Sequence, residues 1–242
     1  MTTAHDAYLV AVEEARIRQA YAQREQNLSD RRASWTHPGH AYASQERERR
    51  VLAALRRLGV RLADARVLEV GCGTGAWLRE FVKWGVPPEQ LWAVDLLPDS
   101  LDKARRLSAA GVNLRCCSAA SLPFDDSSFD LVLQATMFSS ILDPTVRRLV
   151  AAEMLRVAGQ KGVILWYDFH VNNPWNASVR GIGRAELREL FPGCQIELHP
   201  ITLLPPLARR IAPWSHALWL FLTSVPWLCT HYLGVIRRWR SN

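Results

Sequence analysis

The sequence predicts an α/β fold: a doubly wound, seven-stranded sheet with helices on both faces and an N-terminal helical cap. Two observations carry this. From residue 66 to about residue 204, short apolar runs of strand length alternate with helical patterns, as expected of parallel strands joined by crossover helices. The first of those runs ends in Gly71-Cys72-Gly73-Thr74-Gly75, a glycine-rich turn placed between a strand and a helix. The 242 residues suffice for one such domain with an extension before it. Residues 1–62 read as a helical extension or lid. Residues 63–242 read as the sheet domain, with 194–242 as a tail that completes the sheet.

Residues 13–26 read as a polar helix, and the turn-rich Ser34-Trp35-Thr36-His37-Pro38-Gly39 follows it. A second helix spans about 44–58, with Val51, Leu52, Leu55 and Leu58 at helical spacing and Gly59 placed to end it. Residues 66–70 form a short apolar strand, and 76–84 the helix after the glycine turn. The second strand is 91–95, its helix about 99–109, the third strand 113–117 and the fourth 129–135. Asp143 and Pro144 supply an N-cap and a first-turn proline for the next helix, whose buried face is Val146, Leu149, Val150, Met154 and Val157. Residues 163–167 are continuously apolar, as in a central strand covered on both faces. A sixth strand from 195, a helix at about 213–228 and a last strand near 232–238 complete the pattern.

Composition bounds the function classes. An apolar fraction of 49% and a charged fraction of 22% belong to an ordinary globular protein. The net charge of +7 admits a nucleic-acid surface, but the arginines are interleaved with Glu in amphipathic helices, which argues against one. Five cysteines without metal-ligand spacing read as free thiols, and a polar, acidic N-terminus lacks a secretion pattern, so a cytoplasmic location is expected. No cluster of His, Asp and Glu suggests a catalytic metal. Residues 217–236 are apolar enough to raise a membrane span, yet Thr223, Ser224, Pro226 and His231 interrupt them. A helix packed on the sheet and then a buried strand is the expectation, with peripheral membrane contact through Trp214, Trp219 and Trp227 as the alternative.

The glycines at 71, 73 and 75 allow a sharp strand-to-helix turn and the close approach of a ligand to bare backbone. Such a turn at the carboxyl edge of a parallel sheet is where nucleotide-like ligands bind. Gly71, Gly73 and Ala76 also satisfy the dinucleotide spacing, so a nicotinamide cofactor competes. Glu69 tilts the balance, since its carboxylate would meet a cationic ligand group and repel a pyrophosphate. Asp95, ending the second strand, is placed to accept ribose hydroxyls of either cofactor.

Glu69-x-Gly71-x-Gly73-x-Gly75 resembles motif I of the class I S-adenosylmethionine (SAM)-dependent methyltransferases, a Rossmann-like family, and the resemblance runs in order over about residues 50–165. Asp95 matches the ribose-binding acid. Leu122-Pro123-Phe124-Asp125-Asp126-Ser127-Ser128-Phe129-Asp130-Leu131-Val132 is similar to the loop and fourth strand of the ubiquinone/menaquinone-biosynthesis-like branch. Glu153-Met154-Leu155-Arg156-Val157 and the turn 159–162 resemble the helix and turn before its fifth strand. The cofactor set this implies is Glu69, Gly71, Cys72, Gly73, Gly75, Asp95, Leu96, Ser118, Ala119 and Gln134, with SAM as the cofactor. Three positions depart from the branch: Ser118 replaces an acid at the adenine contact, Phe138-Ser139-Ser140 replaces a His pair, and Gln160 replaces a proline.

Methyl transfer is an in-line displacement, so alignment and exclusion of water supply much of the rate. A hydroxyl, amine or acid acceptor also needs a base near neutral pH. Trp166-Tyr167-Asp168-Phe169-His170-Val171-Asn172 leaves the fifth strand at the expected rim. His170 is the candidate base and Asp168 its orienting partner. Trp35, His37, His40, Met137, Phe138, Tyr167 and Asn172 are the candidate acceptor contacts. The expected acceptor is a small or glycan-like molecule, with oxygen slightly favoured. Two other readings stay open on sequence: an NAD(P)-dependent oxidoreductase, and a SAM-binding or membrane-associated partner protein without turnover.

Overall fold

A computed structural model describes residues 3–26, 37–173 and 176–239. Two helices, α1 (Ala4–Gln26) and α2 (Pro38–Arg57), precede the sheet domain. There β1 (Val67–Val70), α3 (Ala76–Lys83), β2 (Leu91–Asp95), α4 (Pro98–Leu107), β3 (Asn113–Cys116), β4 (Leu131–Ala135), α5 (Pro144–Ala158) and β5 (Val163–Phe169) alternate. After them come α6 (Arg184–Leu190), β6 (Cys194–Leu203), α7 (Pro205–Ile211), α8 (His216–Thr223) and β7 (Cys229–Arg238).

The seven strands lie in the order β3-β2-β1-β4-β5-β7-β6. β1 to β5 are mutually parallel, and β7 enters antiparallel between β5 and β6. The order reverses at β1, where chain connections leave toward opposite sides and a crevice opens at the carboxyl ends of β1 and β4. The core divides along the alternation of side chains in the strands. Leu68, Val70, Val132, Ile164 and Trp166 face α5 and α6, while Val67, Leu131, Leu133 and Leu165 face α2 and α3. Asp143 caps α5 as expected, its Oδ1 accepting from Thr145 N (2.8 Å) and Val146 N (2.9 Å). Val146, Val150, Met154 and Val157 of that helix are buried, each contributing about 1.5–3 kcal/mol of burial.

The tail differs from the expectation. The expected helix at about 213–228 is the shorter α8, followed by a 3-10 turn at Pro226–Leu228, and another short helix, α7, which was not expected, precedes it. Pro205 and Pro206 start α7 in its opening turn, Ser215 caps α8 by accepting from Leu218 N (3.1 Å), and Pro226 precludes its continuation. The last strand begins earlier than expected, at Cys229, so residues 217–236 are divided among helix, turn and strand. Among the described residues no helix is long and apolar enough to cross a membrane. α6 was not expected, and α1 starts nine residues before the predicted 13.

Candidate active site

The glycine turn lies at the carboxyl end of β1. Gly71 N and Cys72 N both donate to Val94 O of β2 (2.8 and 3.0 Å), which bends the chain across the neighbouring strand. Gly71 has φ +75°, and a Cβ there would overlap Met137 Cγ. Gly75, at φ +74°, is the N-cap of α3, and a Cβ there would lie 2.9 Å from Ser108 Oγ. Both positions therefore exclude a side chain for two reasons, conformation and space.

Two carboxylates serve this turn differently. Asp95 braces the backbone, with an acceptor site left on each oxygen: its Oδ2 accepts from Gly73 N (2.7 Å) and its Oδ1 from Leu97 N (2.9 Å). It holds the turn against the end of β2, while burial pushes its carboxyl above the usual range. Glu69 points from the centre of β1 with 2% of its surface exposed, and its Oε2 has no hydrogen-bond partner among the described residues. Burial, then the nearby Asp95 charge, drives its carboxyl far up. A buried acid without a partner is costly in a fold that needs nothing there. It fits a cationic group, as the ammonium or sulfonium of SAM would supply.

The turn opens into a cavity of about 660 Å³ between the sheet edge and the N-terminal helices. Glu69, Gly71, Cys72, Gly73, Asp95 and Leu96 line one end, with Ser118 and Ala119 beside them. Ser118 Oγ accepts from Ala120 N (3.1 Å), so its hydroxyl is engaged in its own turn. The loop behind it is clasped to α5. Leu122 N donates to Glu153 Oε2 (2.7 Å), and Arg156 donates to Leu122 O (2.9 Å) and Phe124 O (2.7 Å). That gives a structural reason for the Leu122–Phe124 and Glu153–Arg156 segments to occur together.

The other end is assembled from distant parts of the chain. Tyr167 of β5 stacks on His231 of β7 (centroids 4.7 Å apart, 6° between planes), and its hydroxyl lies 3.0 Å from Thr202 Oγ1. The Arg47 guanidinium of α2 sits over the Tyr167 and Trp77 rings at 5.2 and 5.1 Å. Among the described residues no carboxylate pairs with it. Burial lowers His231 to about 3, so its ring is neutral at pH 7. His40 lines the same end, lowered by burial first and then by the Arg47 and His37 charges. Thr136, a β-branched residue at φ 56°, turns the chain at the exit of β4 and donates its N–H to Tyr167 O (2.7 Å). Such a conformation is strained and clusters at ligand sites. From above, Glu13, Ile17 and Tyr21 of α1 cover the cavity.

Of the expected acceptor contacts, His40, Met137 and Tyr167 line the cavity. Several others do not. Phe138 is fully buried against Trp166 (4.7 Å) and Phe191. His37 caps α2, its Nδ1 accepting from Gly39 N (3.1 Å), and Asn172 Oδ1 accepts from Gly181 N (2.9 Å). Trp35 lies outside the described residues. Gln134, expected at the cofactor, is buried and accepts from Met137 N (3.2 Å), away from the lining.

The expected catalytic pair needs correction. Asp168 is wholly buried, alternating away from Tyr167 across the strand, and accepts from Ser139 N (3.1 Å) and Phe169 N (2.8 Å). Burial raises it to about 6. His170 stacks on Tyr232 (4.2 Å), and its Nε2 lies 2.9 Å from Cys229 O. Neither reaches the cavity, because alternation along β5 turns Tyr167 and Phe169 toward it. Sequence reasoning missed Arg47, Thr136 and His231; no local motif marks them, since only the sheet order and the α2 packing bring them together. A second cleft, of about 520 Å³, opens at the amino ends of the strands beside Asp64, Asp130 and Lys161, the edge opposite the glycine turn.

Residues 67–162 match the methyltransferase domain family. The ubiquinone/menaquinone biosynthesis C-methyltransferase UbiE of Cupriavidus taiwanensis is 32% identical over 107 residues, 43% of each chain. The chain spans about half the length of the curated relatives it matches. Among solved structures, the PH0226 protein of Pyrococcus horikoshii superposes with a TM-score of 0.54 at 17% identity, covering 79% of this chain and 91% of that one. Phosphoethanolamine N-methyltransferase 2 of Haemonchus contortus, solved with S-adenosyl-L-methionine, gives 0.56 at 20% identity, covering 78% and 52%. With the strand order and the glycine turn beside Glu69 and Asp95, these matches make residues 67–162 similar to a methyltransferase domain, carried on a Rossmann-like sheet.

Proposed function

We propose that the protein transfers the methyl group of SAM to a hydroxyl of a small-molecule acceptor held against Tyr167, His231 and Arg47. The observation that carries this reading is Glu69, a buried carboxyl with an unpartnered oxygen at the head of a glycine turn. SAM supplies an activated methyl on a positively charged sulfur. Glu69 is the group that meets that positive end, Gly71 and Gly73 give backbone access, and Asp95 with Leu96 holds the ribose side. Ser118 and Ala119 border the adenine side.

The acceptor end supports a planar or partly apolar molecule, because Trp77, Tyr167 and Met137 supply flat or soft surfaces. Oxygen is favoured over nitrogen because a hydroxyl is a poor nucleophile until its proton leaves, and His40 is a neutral imidazole in the lining. A neutral amine, by contrast, attacks with its own lone pair and can lose its proton afterwards. α1 and α2 act as the lid that excludes water. His40 takes the role of base in place of His170, which faces away from the cavity.

The test is a thermal-shift series with SAM, S-adenosylhomocysteine, NADH and NADPH, followed by transfer of a labelled methyl to a panel of hydroxylated acceptors. Binding raises the melting temperature through ligand linkage. A rise with the two adenosyl compounds alone is the expected result. A rise only with NADH or NADPH overturns the reading in favour of an oxidoreductase. Tight SAM binding with no labelled product across the panel makes the protein a binding module instead.

A further inference from the structure

The segment between β6 and β7 leaves the sheet at Leu203 and returns at Cys229, two residues that pair across the ladder. Because β7 lies beside β5 with Phe169 opposite His231, this segment projects from the carboxyl edge, the same edge as the glycine turn. Its surface is apolar to an unusual degree. Trp214 is 88% exposed, Trp227 84% and Phe221 65%, and Leu204, Leu218 and Leu220 are exposed beside them. α8 turns Trp219 and Thr223 inward and Leu218, Leu220 and Phe221 outward, so it is apolar on both faces. Such a helix is covered by something when it works.

Charge identifies the cover. From Leu198 to Asn242 the sequence contains no Asp or Glu, and α7 exposes Arg209 and Arg210 next to the aromatic residues. A second copy of the same face would set these arginines against their equals across a twofold axis, with no carboxylate in the segment to offset them. Anionic headgroups over an acyl layer satisfy both features, with Trp at the boundary and Arg at the phosphates.

We propose that the face formed by α7, α8 and the 226–228 turn docks on an anionic lipid bilayer, lying in its interface without crossing it. Tyr42 of α2 packs edge-on against Trp219 (5.7 Å), and His40, two residues away, lines the cavity. The docked bilayer therefore lies next to the acceptor end of the cavity. This inference is independent of the methyl-transfer reading.

The experiment is flotation of the full chain with vesicles of phosphatidylcholine alone and of phosphatidylcholine mixed with phosphatidylglycerol. The expected result is binding to the mixed vesicles, a blue shift of tryptophan emission, and weakening as salt rises from about 0.1 M to about 1 M. The double variant Trp214→Ala/Trp227→Ala lowers the bound fraction about tenfold or more while leaving the circular dichroism spectrum and S-adenosylhomocysteine affinity unchanged. Arg209→Gln/Arg210→Gln removes the preference for the anionic vesicles. Absence of binding to the mixed vesicles overturns the proposal, as does binding that the tryptophan variant leaves intact. A concentration-dependent dimer in sedimentation that the same variant abolishes also overturns it, and assigns the face to self-association.

Discussion

Glu69 carries its stability effect and its binding effect in opposite directions. Burial and the neighbouring Asp95 charge raise its carboxyl far above the ordinary 4.5. A raised carboxyl contributes stability that is fully present below the unfolded value and lost as pH rises through the folded one. Glu69→Gln keeps the shape and removes the charge. We expect the ligand-free variant to melt higher than wild type, with the gap wider at pH 8 than at pH 5, while its affinity for SAM falls about tenfold or more. Calorimetry in both pH conditions and titration with SAM read the two effects separately; a variant that binds SAM as wild type does would remove Glu69 from the cofactor site. His40 is read by rate. Burial and the Arg47 and His37 charges hold its ring below the ordinary 6.5. The rate of methyl transfer should rise with pH through that lowered value and then level off. His40→Asn should cost roughly 10²–10⁴-fold in kcat and flatten the profile. A variant that keeps the wild-type profile would show that transfer proceeds without this base.

At the scale of elements, α1 is tied to the sheet domain chiefly through Glu13, beside Arg16 and a Tyr21 hydroxyl 3.3 Å from Ser140 Oγ. Glu13 is 5% exposed, accepts from Leu142 N at the start of α5, and is held by Arg16 Nε (2.9 Å) and an Arg16 terminal nitrogen (2.8 Å). That same Arg16 also donates to Ser140 O (2.5 Å). α1 is otherwise polar, with only Leu9, Val10 and Ile17 packed against the core, so little else fastens it. Glu13→Ala leaves the Leu142 N–H unsatisfied and should cost about 1–3 kcal/mol, concentrated in the docking of α1. Limited proteolysis should then cut within 4–26 in the variant at protease levels that spare wild type. The elements that were legible in the sequence were those with local signals: the glycine turn, the Asp143-Pro144 helix start and the apolar run at 163–167. α6 is seven residues long, too short to show a periodic face, and its Glu186 is held by Arg147 and Arg180 from elsewhere in the chain. The tail read as one helix because its apolar run is continuous, although Pro213 and Pro226 mark breaks to either side of α8.

Across the whole molecule, the cavity lies between two layers that touch the same contents from opposite sides. The glycine turn and Asp95 belong to the sheet, and they were readable because they are contiguous or end a strand. The acceptor wall joins His40 and Arg47 of α2, Thr136 after β4, Tyr167 of β5 and His231 of β7, a set created only by the strand order with β7 beside β5. A ligand filling this space contacts α1, α2 and the sheet edge at once, so binding should stiffen the cap and the turn together. We expect S-adenosylhomocysteine to slow amide hydrogen exchange at 69–75, 95–97 and within α1, with α2 protected around His40 and Arg47. α7 and α8 touch α2 but lie outside the lining, so their exchange should stay unchanged. Protection confined to the sheet edge, with α1 exchanging as in the free protein, would show that the N-terminal helices do not close over the cofactor. Protection that includes α8 would instead couple the exposed aromatic face to cofactor binding.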